Sequence, residues 1–206
     1  LTGSGIPACD RPDTGALNNL IAAHGTCVAG IIGAVKDNGI GIAGVCPSCA
    51  LWPVKLVRYD ELLIPASRIY DAIVAAVEAG ADVINNSWGE EDTDVSGNCV
   101  AVPLDSFRAE AVRYAKTKGR NGRGALLVWA AGNSQCDTGL NENLKIADII
   151  VVSALDANGK LAWYSNRGAE VTFCAGAANW TTDITGPAGV NNRRYRTPDE
   201  TLDYTN

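Results

Sequence analysis

The sequence has one histidine in 206 residues, fewer basic than acidic side chains, and no apolar run of bilayer length. With 17 Lys and Arg against 23 Asp and Glu, the net charge of −6 disfavours nucleic acid and anionic membranes as partners. No segment approaches the ~18 consecutive apolar residues that span a bilayer. The sequence therefore predicts no membrane span, and its 47% hydrophobic residues suffice for one sizeable core.

A second Cys-x-x-Cys pair is also missing. Because Cys46-Pro47-Ser48-Cys49 stands alone, we expect a small disulfide loop there rather than half of a zinc site. Seven cysteines in a chain of this size favour an oxidising compartment, and hence a secreted or periplasmic protein. Their odd number leaves at least one without a partner inside the chain, and the remaining pairing is open.

Apolar residues alternate between helical and strand spacing along most of the chain. Helices are predicted over about 24–35, 66–80 and 104–118, and strands over 50–57, 82–87, 125–131 and 146–153. This order predicts βαβ units, and thus an α/β fold with a mostly parallel sheet flanked by helices. The last two strands are continuous apolar runs, which indicates burial on both faces. We expect a single domain with an entry loop over 1–23, a core over 24–178 and an irregular tail over 179–206.

Polar and small residues follow two of the predicted strands. One strand runs into Ser87-Trp88-Gly89, and another runs into Ala131-Gly132-Asn133. Ligands of open α/β sheets bind at the carboxyl ends of strands, which makes both segments candidates for a site. An asparagine amide in that position can donate a hydrogen bond to a developing oxyanion.

The only histidine lies in Ala23-His24-Gly25-Thr26-Cys27-Val28-Ala29-Gly30. This string resembles the histidine motif of the subtilisin-like serine proteases, His-Gly-Thr-x-x-Ala-Gly. The later Ser-Trp-Gly, Ala-Gly-Asn and Trp163–Gly168 segments come in the order of that family, so the resemblance covers about residues 22–176. It implies a subtilisin-like fold and a serine endopeptidase whose chemistry needs no cofactor.

The resemblance assigns roles to individual residues. It implies that His24 is the general base and that Asn133 is the oxyanion donor. Ser87, Trp88 and Gly89, together with Ala131 and Gly132, would line the substrate and pair with its backbone.

Within the family the sequence is more similar to the kexin and furin branch. Ser87 to Asp92 resembles its Ser-Trp-Gly-Pro-Glu-Asp, and Cys136-Asp137 resembles its Cys-Asp after the oxyanion asparagine. In that branch the acids at Asp92 and Asp137 shape a pocket for a basic side chain and help to hold a structural calcium. Two positions depart from the pattern, because Ile21 and Asn166 stand where the branch has acids. We therefore expect a peptide or protein substrate with at most a single basic residue before the cut.

Two thirds of a catalytic triad are not found in the sequence. The family's nucleophile motif, Gly-Thr-Ser-x-x-x-Pro, does not occur, and no strand-borne acid precedes His24. Leu1 is not an initiator methionine, which indicates a processed or excised piece. Three hypotheses follow: a middle chain of a cleaved precursor with companion chains, a truncated and inactive fragment, or a pseudoprotease that binds peptides. The first is favoured because an isolated central sheet would expose much apolar surface.

Overall fold

The computed structural model describes residues 16–56, 64–177, 181–182 and 204–205, with the backbone alone for 16–23 and 204–205. The chain divides into two compact units, one of residues 1–63 and 179–206 and one of residues 64–178. The helices and strands are α1 (Ala16–Gly33), α2 (Ala66–Glu78), β1 (Val83–Asn86), α3 (Ser106–Gly122), β2 (Leu126–Ala130), β3 (Ile149–Leu155), β4 (Phe173–Gly176), β5 (Thr181–Thr182) and β6 (Tyr204–Thr205). Two 3-10 turns, Thr138–Leu140 and Glu142–Lys145, lie between β2 and β3.

A four-stranded sheet forms the base of the unit of residues 64–178. Its strand order is β1-β2-β3-β4, and each neighbouring pair is parallel. Asn86 lies beside Trp129, so β1 and β2 end at the same edge of the sheet. The predicted α/β fold with a parallel sheet flanked by helices is confirmed, and the two polar segments that follow β1 and β2 begin at one edge.

Helix α3 packs against β2 with an apolar stripe at helical spacing. The helix begins after Asp105, whose carboxylate accepts a hydrogen bond from the backbone N–H of Phe107 at 2.9 Å. Its regular helical conformation ends after Lys118, because Gly119 is extended and Arg120 has a φ of 52°. The non-helical residues at the end of α3 thus form a turn that leads directly into β2.

Burial of the strands differs from the expectation of a sheet covered on both faces. In β2, Leu127 and Trp129 are each 1% exposed, whereas Leu126 is 51% exposed. Val83, the neighbour of Leu126 in β1, is 54% exposed. Among the described residues, only the face that bears Leu127 and Trp129 is covered well. The prediction from the continuous apolar runs, that both faces of the sheet are buried, is therefore wrong for the face that bears Leu126.

The first unit is described mainly through α1, and here the predicted boundary is wrong. The helix that carries His24 begins at Ala16, so residues 16–23 are helical and do not belong to a loop. Leu17, Leu20 and Ile21 already recur at helical spacing, but the pair Asn18-Asn19 between them is typical of turns and concealed it. Residues 1–15 lie outside the described part of the chain.

The strand predicted over 50–57 is also not formed. Residues 51–56 have no regular secondary structure, and Trp52 is 69% exposed, while residue 57 lies outside the described residues. Pro53 lacks the N–H group that sheet pairing requires, which accounts for the difference. The tail predicted as irregular contains the short antiparallel pair of β5 and β6, and its other residues lie outside the described part. Within the described ranges no helix is both long and apolar enough to cross a bilayer.

Candidate active site

His24 lies within α1, and its side chain is exposed. The following turn is fixed against β5, because the hydroxyl of Thr182 donates a hydrogen bond to the carbonyl of Thr26 at 2.8 Å. A Cβ atom on Gly30 would lie 2.2 Å from that hydroxyl, so this contact requires glycine. The motif around His24 thus combines a fixed helical turn with an exposed imidazole.

Ser87, Trp88 and Gly89 directly follow β1 and are tied to the next strand. The indole Nε1 of Trp129 donates to the carbonyl of Trp88 at 3.0 Å. The two rings meet edge to face with centroids 4.8 Å apart. Ser87 and Trp88 are half-buried, and Gly89 is exposed. The backbone beyond Trp88 is therefore accessible to an extended peptide that pairs with it.

Arg108 on α3 anchors this segment from the helical side. Its side chain is 1% exposed, and its guanidinium carbon lies 4.9 Å from the Trp88 ring centroid and 4.7 Å from that of Trp129. The guanidinium also donates to both carboxylate oxygens of Glu90, one of them at 3.2 Å. Since an unpaired charge is costly in the interior, this ion pair and the two rings hold the segment as one set.

Asn133 lies in the loop of residues 131–136, which follows β2. Its side chain is exposed, and no hydrogen bond to another described residue restrains it. The loop backbone is fixed on either side, since Ala131 N–H donates to Val152 at 2.9 Å and Gln135 N–H donates to Tyr164 at 2.9 Å. An exposed amide on a fixed loop at the end of a strand can stabilise an oxyanion.

Asn166 holds the same loop through its side-chain amide and is 2% exposed. Its Oδ1 accepts hydrogen bonds from the backbone N–H groups of Ser134 at 3.0 Å and Cys136 at 2.9 Å. Its Nδ2 donates to the carbonyl of Ala131 at 3.0 Å and to the carboxylate of Asp92. This set is termed the amide clamp. Because one end meets two donors and the other end meets two acceptors, only one orientation of the amide satisfies all four partners.

The two acids proposed for a basic pocket lie in different environments. Asp92 is 7% exposed and belongs to the amide clamp. Asp137 is exposed, and its carboxylate accepts a hydrogen bond from Gly139 N–H at 2.8 Å at the start of a 3-10 turn. Ile21, the other position weighed for recognition of a basic residue, lies among the helical residues whose side chains are not described.

The donors around Asp92 do not fit the calcium that the resemblance implies. Asn166 presents an N–H group to this carboxylate, where a calcium site would present an oxygen. Within the described ranges, no three side chains of the His, Cys, Asp or Glu type are placed to hold a metal together. We therefore assign no metal-binding role to Asp92, Asp137 or Asn166.

Two disulfides are present among the described residues. The expected Cys46–Cys49 loop is confirmed. The pair Cys99–Cys136, whose Cα atoms are 5.6 Å apart, could not be deduced from the sequence. Cys136 ends the 131–136 loop and is 1% exposed, so this disulfide adds a covalent support at the place where Asn166 also binds.

Two residues that organise this region were not predicted as site residues. Arg108 shares a face of α3 with Ala111, Val112 and Ala115, and a charge on an apolar face is a signal that the sequence already contained. Asn166 was noted only as a departure from a family pattern. Its role depends on partners as far as 74 positions away, which no local pattern indicates.

His24 on a helix and Asn133 after a strand are both exposed, and known proteins of similar sequence identify the family of this chain. The profile of the Subtilase family matches residues 5–205. The chain belongs to the Subtilase family.

Similar proteins agree with this assignment. A calcium-dependent protease of Trichormus variabilis is 32% identical over 199 residues, which cover 89% of this chain and 29% of that protein. A thermophilic serine proteinase of Bacillus sp. is 36% identical over 171 residues, covering 82% and 37%. The crystal structure of the serine protease of Aeromonas sobria matches with a TM-score of 0.71 at 26% identity and covers 89% and 37%. This chain spans about a third of the length of these relatives. They are bacterial subtilisin-like proteases, and the kexin and furin branch stays a prediction.

Proposed function

We propose that this chain supplies the general base and the oxyanion donor of a serine endopeptidase. The observation that carries the proposal is the exposed amide of Asn133 on a loop held by Asn166, in a chain of the Subtilase family. The exposed imidazole of His24, within the family's His-Gly-Thr motif, supports it.

In the proposed reaction His24 transfers a proton and Asn133 stabilises a negative charge. The His24 imidazole takes the proton of a serine hydroxyl as the serine oxygen attacks the peptide carbonyl carbon. The Asn133 amide donates a hydrogen bond to the resulting oxyanion, and loss of such a donor costs about 10²–10³-fold in turnover. The tetrahedral intermediate collapses, the bond between the carbonyl carbon and the amide nitrogen breaks, and His24 passes its proton to the leaving amine. Water then attacks the acyl-enzyme by the same proton path and releases the serine, so no cofactor is needed.

The nucleophile and the orienting carboxylate are proposed to lie on segments outside this chain. After Asn133 the only serines are Ser134, Ser153 and Ser165, and none has the Gly-Thr-Ser context. Ser153 and Ser165 are 3% and 1% exposed, which places them out of reach of a substrate. Companion chains of one cleaved precursor would provide both groups.

The substrate is proposed to be a protein or peptide in extended form. Ser87, Trp88, Gly89 and the backbone N–H of Gly132 would pair with it at the edge where β1 and β2 end. Ala131, predicted to line the substrate, would do so without backbone pairing, because its N–H and carbonyl are already bonded to Val152 and Asn166. A basic side chain before the cut is proposed as the preferred one, with Asp137 as its exposed carboxylate. The two disulfides support a proposal of secretion.

The test uses the whole protease that contains this chain. A serine-directed fluorophosphonate should add its mass to a segment other than this one, and His24→Ala should lower kcat/KM roughly 10⁴-fold or more. Asn158→Ala, at an exposed turn, is the matched control and should retain activity. If no adduct forms and the wild-type protein hydrolyses substrate no faster than His24→Ala, the result would instead indicate a peptide-binding pseudoprotease.

A further inference from the structure

We propose that Asn166 is a positioning residue that raises kcat by fixing the position of Asn133. This inference rests on the proposed function. Asn166 touches no reacting atom in that mechanism, so its effect passes entirely through the 131–136 loop.

The bonds of Asn166 bracket Asn133 on the chain. Before Asn133, Nδ2 of Asn166 donates to the carbonyl of Ala131, and the backbone N–H of Asn166 donates to that of Gly132 at 3.0 Å. After Asn133, Oδ1 accepts from Ser134 and Cys136. Four residues of the loop are thus tied to the side chain and backbone of Asn166, while the side chain of Asn133 itself has no restraint among the described residues.

The fit between Asn166 and the loop leaves no spare room. A Cβ atom on Gly132 would lie 2.3 Å from the Asn166 Nδ2 and 3.1 Å from an Asp92 oxygen. Gly132 also has a φ of 110°, a conformation that side chains rarely allow. The backbone therefore rests directly on the amide, and a change in the amide must move the loop. A displacement of about 1 Å in a catalytic group can cost on the order of 100-fold in rate.

Asn166 itself is held by its own surroundings. Its carbonyl accepts hydrogen bonds from the hydroxyls of Ser153 at 2.7 Å and Ser165 at 3.2 Å. Ser153 lies on β3 and is 3% exposed, so the clamp is anchored to the sheet. The clamp consequently transmits the rigidity of β3 to the loop after β2.

The first experiment compares steady-state kinetics of Asn166→Ala and Asn166→Asp in the whole protease. We expect kcat to fall about 100-fold with KM changed less than threefold, because positioning of an oxyanion donor acts in the transition state. Asn143→Asp is the matched control. Asn143 is a buried asparagine in the same unit, and it joins the loop at Pro103 to the second 3-10 turn. It should lower thermal stability but leave kcat near that of the wild type; an equal loss of kcat there would overturn the inference.

A double-mutant cycle with Asn133→Ala separates positioning from general damage. If Asn166 acts through Asn133, adding Asn166→Ala to Asn133→Ala should lower kcat by less than about twofold more. An additive loss would overturn the inference while leaving the proposed function intact. If Asn133→Ala alone leaves kcat unchanged, the proposed function fails first.

Asn166→Asp offers a readout that a merely structural role would not move. It places a second carboxylate against Asp92, and one of the pair must be protonated to restore a donor. The ratio of variant to wild-type kcat should therefore rise as the pH falls. Asp92→Asn combined with Asn166→Asp should recover part of the activity at neutral pH, since the donor and acceptor have exchanged places. A flat ratio and no recovery would contradict the role of this hydrogen bond.

Discussion

Two segments follow neighbouring strands of the same sheet, and they are held in place by different forces. The segment after β1 is fixed by a buried charge, with Arg108 between two tryptophan rings and Glu90. The loop after β2 is fixed by a neutral amide whose four partners match its donors and acceptors. Because an unpaired buried charge is more costly than a lost neutral hydrogen bond, damage to the first segment should appear mainly as lost stability. Damage to the second should appear as lost turnover as well as lost stability, because removal of the amide also leaves the buried Asp92 carboxylate without its donor.

A large effect on stability is expected from Glu90→Ala, which would leave the guanidinium of Arg108 buried without its carboxylate partner. We expect a loss of about 3 kcal/mol in the free energy of unfolding, near the lower end for a broken buried pair because Glu90 is 29% exposed. Arg108→Met should cost only about 1 kcal/mol, since Glu90 can turn to water and the methionine fills the site. Urea unfolding measures both.

The exposed pair of Glu110 and Arg113 on α3 provides the control for this prediction. Glu110→Ala should leave the unfolding midpoint unchanged within error, because water screens surface pairs. Equal losses of stability for Glu90→Ala and Glu110→Ala would mean that the pair of Arg108 and Glu90 stabilises the protein no more than a surface ion pair does.

Removal of the disulfide Cys99–Cys136 sharpens the contrast, because it supports the loop after β2 by a covalent bond. The two cysteines are 37 positions apart, and closure of such a loop is worth about 3–4 kcal/mol in the chain-entropy model. Replacement of both by serine should therefore lower stability by a similar amount. The pair Cys46 and Cys49, only three positions apart, should matter far less when both are replaced. Thermal unfolding of the two double-serine variants and the wild type, with and without a reductant, distinguishes the two pairs. Equal losses of stability in the two variants would contradict this expectation.

The sequence was sufficient to predict the architecture around these segments. Apolar runs separated by helical patterns fixed the order of strands, and Asn86 and Ala130 do end neighbouring parallel strands. The place of Asn133 after a strand followed from the same reasoning. The start of α1 was missed because Asn18-Asn19 masked the helical spacing that Leu17 and Leu20 carry.

The supports of the two segments could not be predicted because they join distant residues. Arg108 and Glu90 are 18 positions apart, and Asn166 reaches Cys136 and Asp92 across 30 and 74 positions. Such pairs depend on how the sheet brings loops together, and the spacing of residues within one segment does not indicate this. The burial of Asp92 could not be predicted from the sequence for the same reason.

The next prediction compares Asp92 and Asp137, which the resemblance treats as one pocket. Asp92→Ala should reduce kcat for substrates with arginine and with leucine before the cut by similar factors, because it removes the acceptor of the amide clamp. Asp137→Asn should reduce kcat/KM about tenfold for the arginine substrate only, the loss expected for one charge-assisted hydrogen bond. Paired fluorogenic peptides that differ in this residue measure the selectivity. A loss in Asp92→Ala that is confined to the arginine substrate would instead place the buried acid in the basic pocket.

The smallest effect concerns the short hairpin over 93–99, in which Thr93 and Cys99 form an antiparallel bridge. Hydrogen bonds from the Asn98 side chain, and then from the backbone of Asn98, Ser96 and Gly97, lower the pKa of Asp94 below its usual value of 3.8. A lowered pKa in the folded state stabilises the protein above the unfolded value, and this contribution disappears as the pH falls through the folded value. The stability difference between the wild type and Asp94→Ala should thus be constant above pH 5 and shrink below about 3.8. Unfolding free energies measured from pH 6 to pH 2.5 test the sign, and a difference that grows on acidification would show that the Asp94 carboxylate does not order this hairpin.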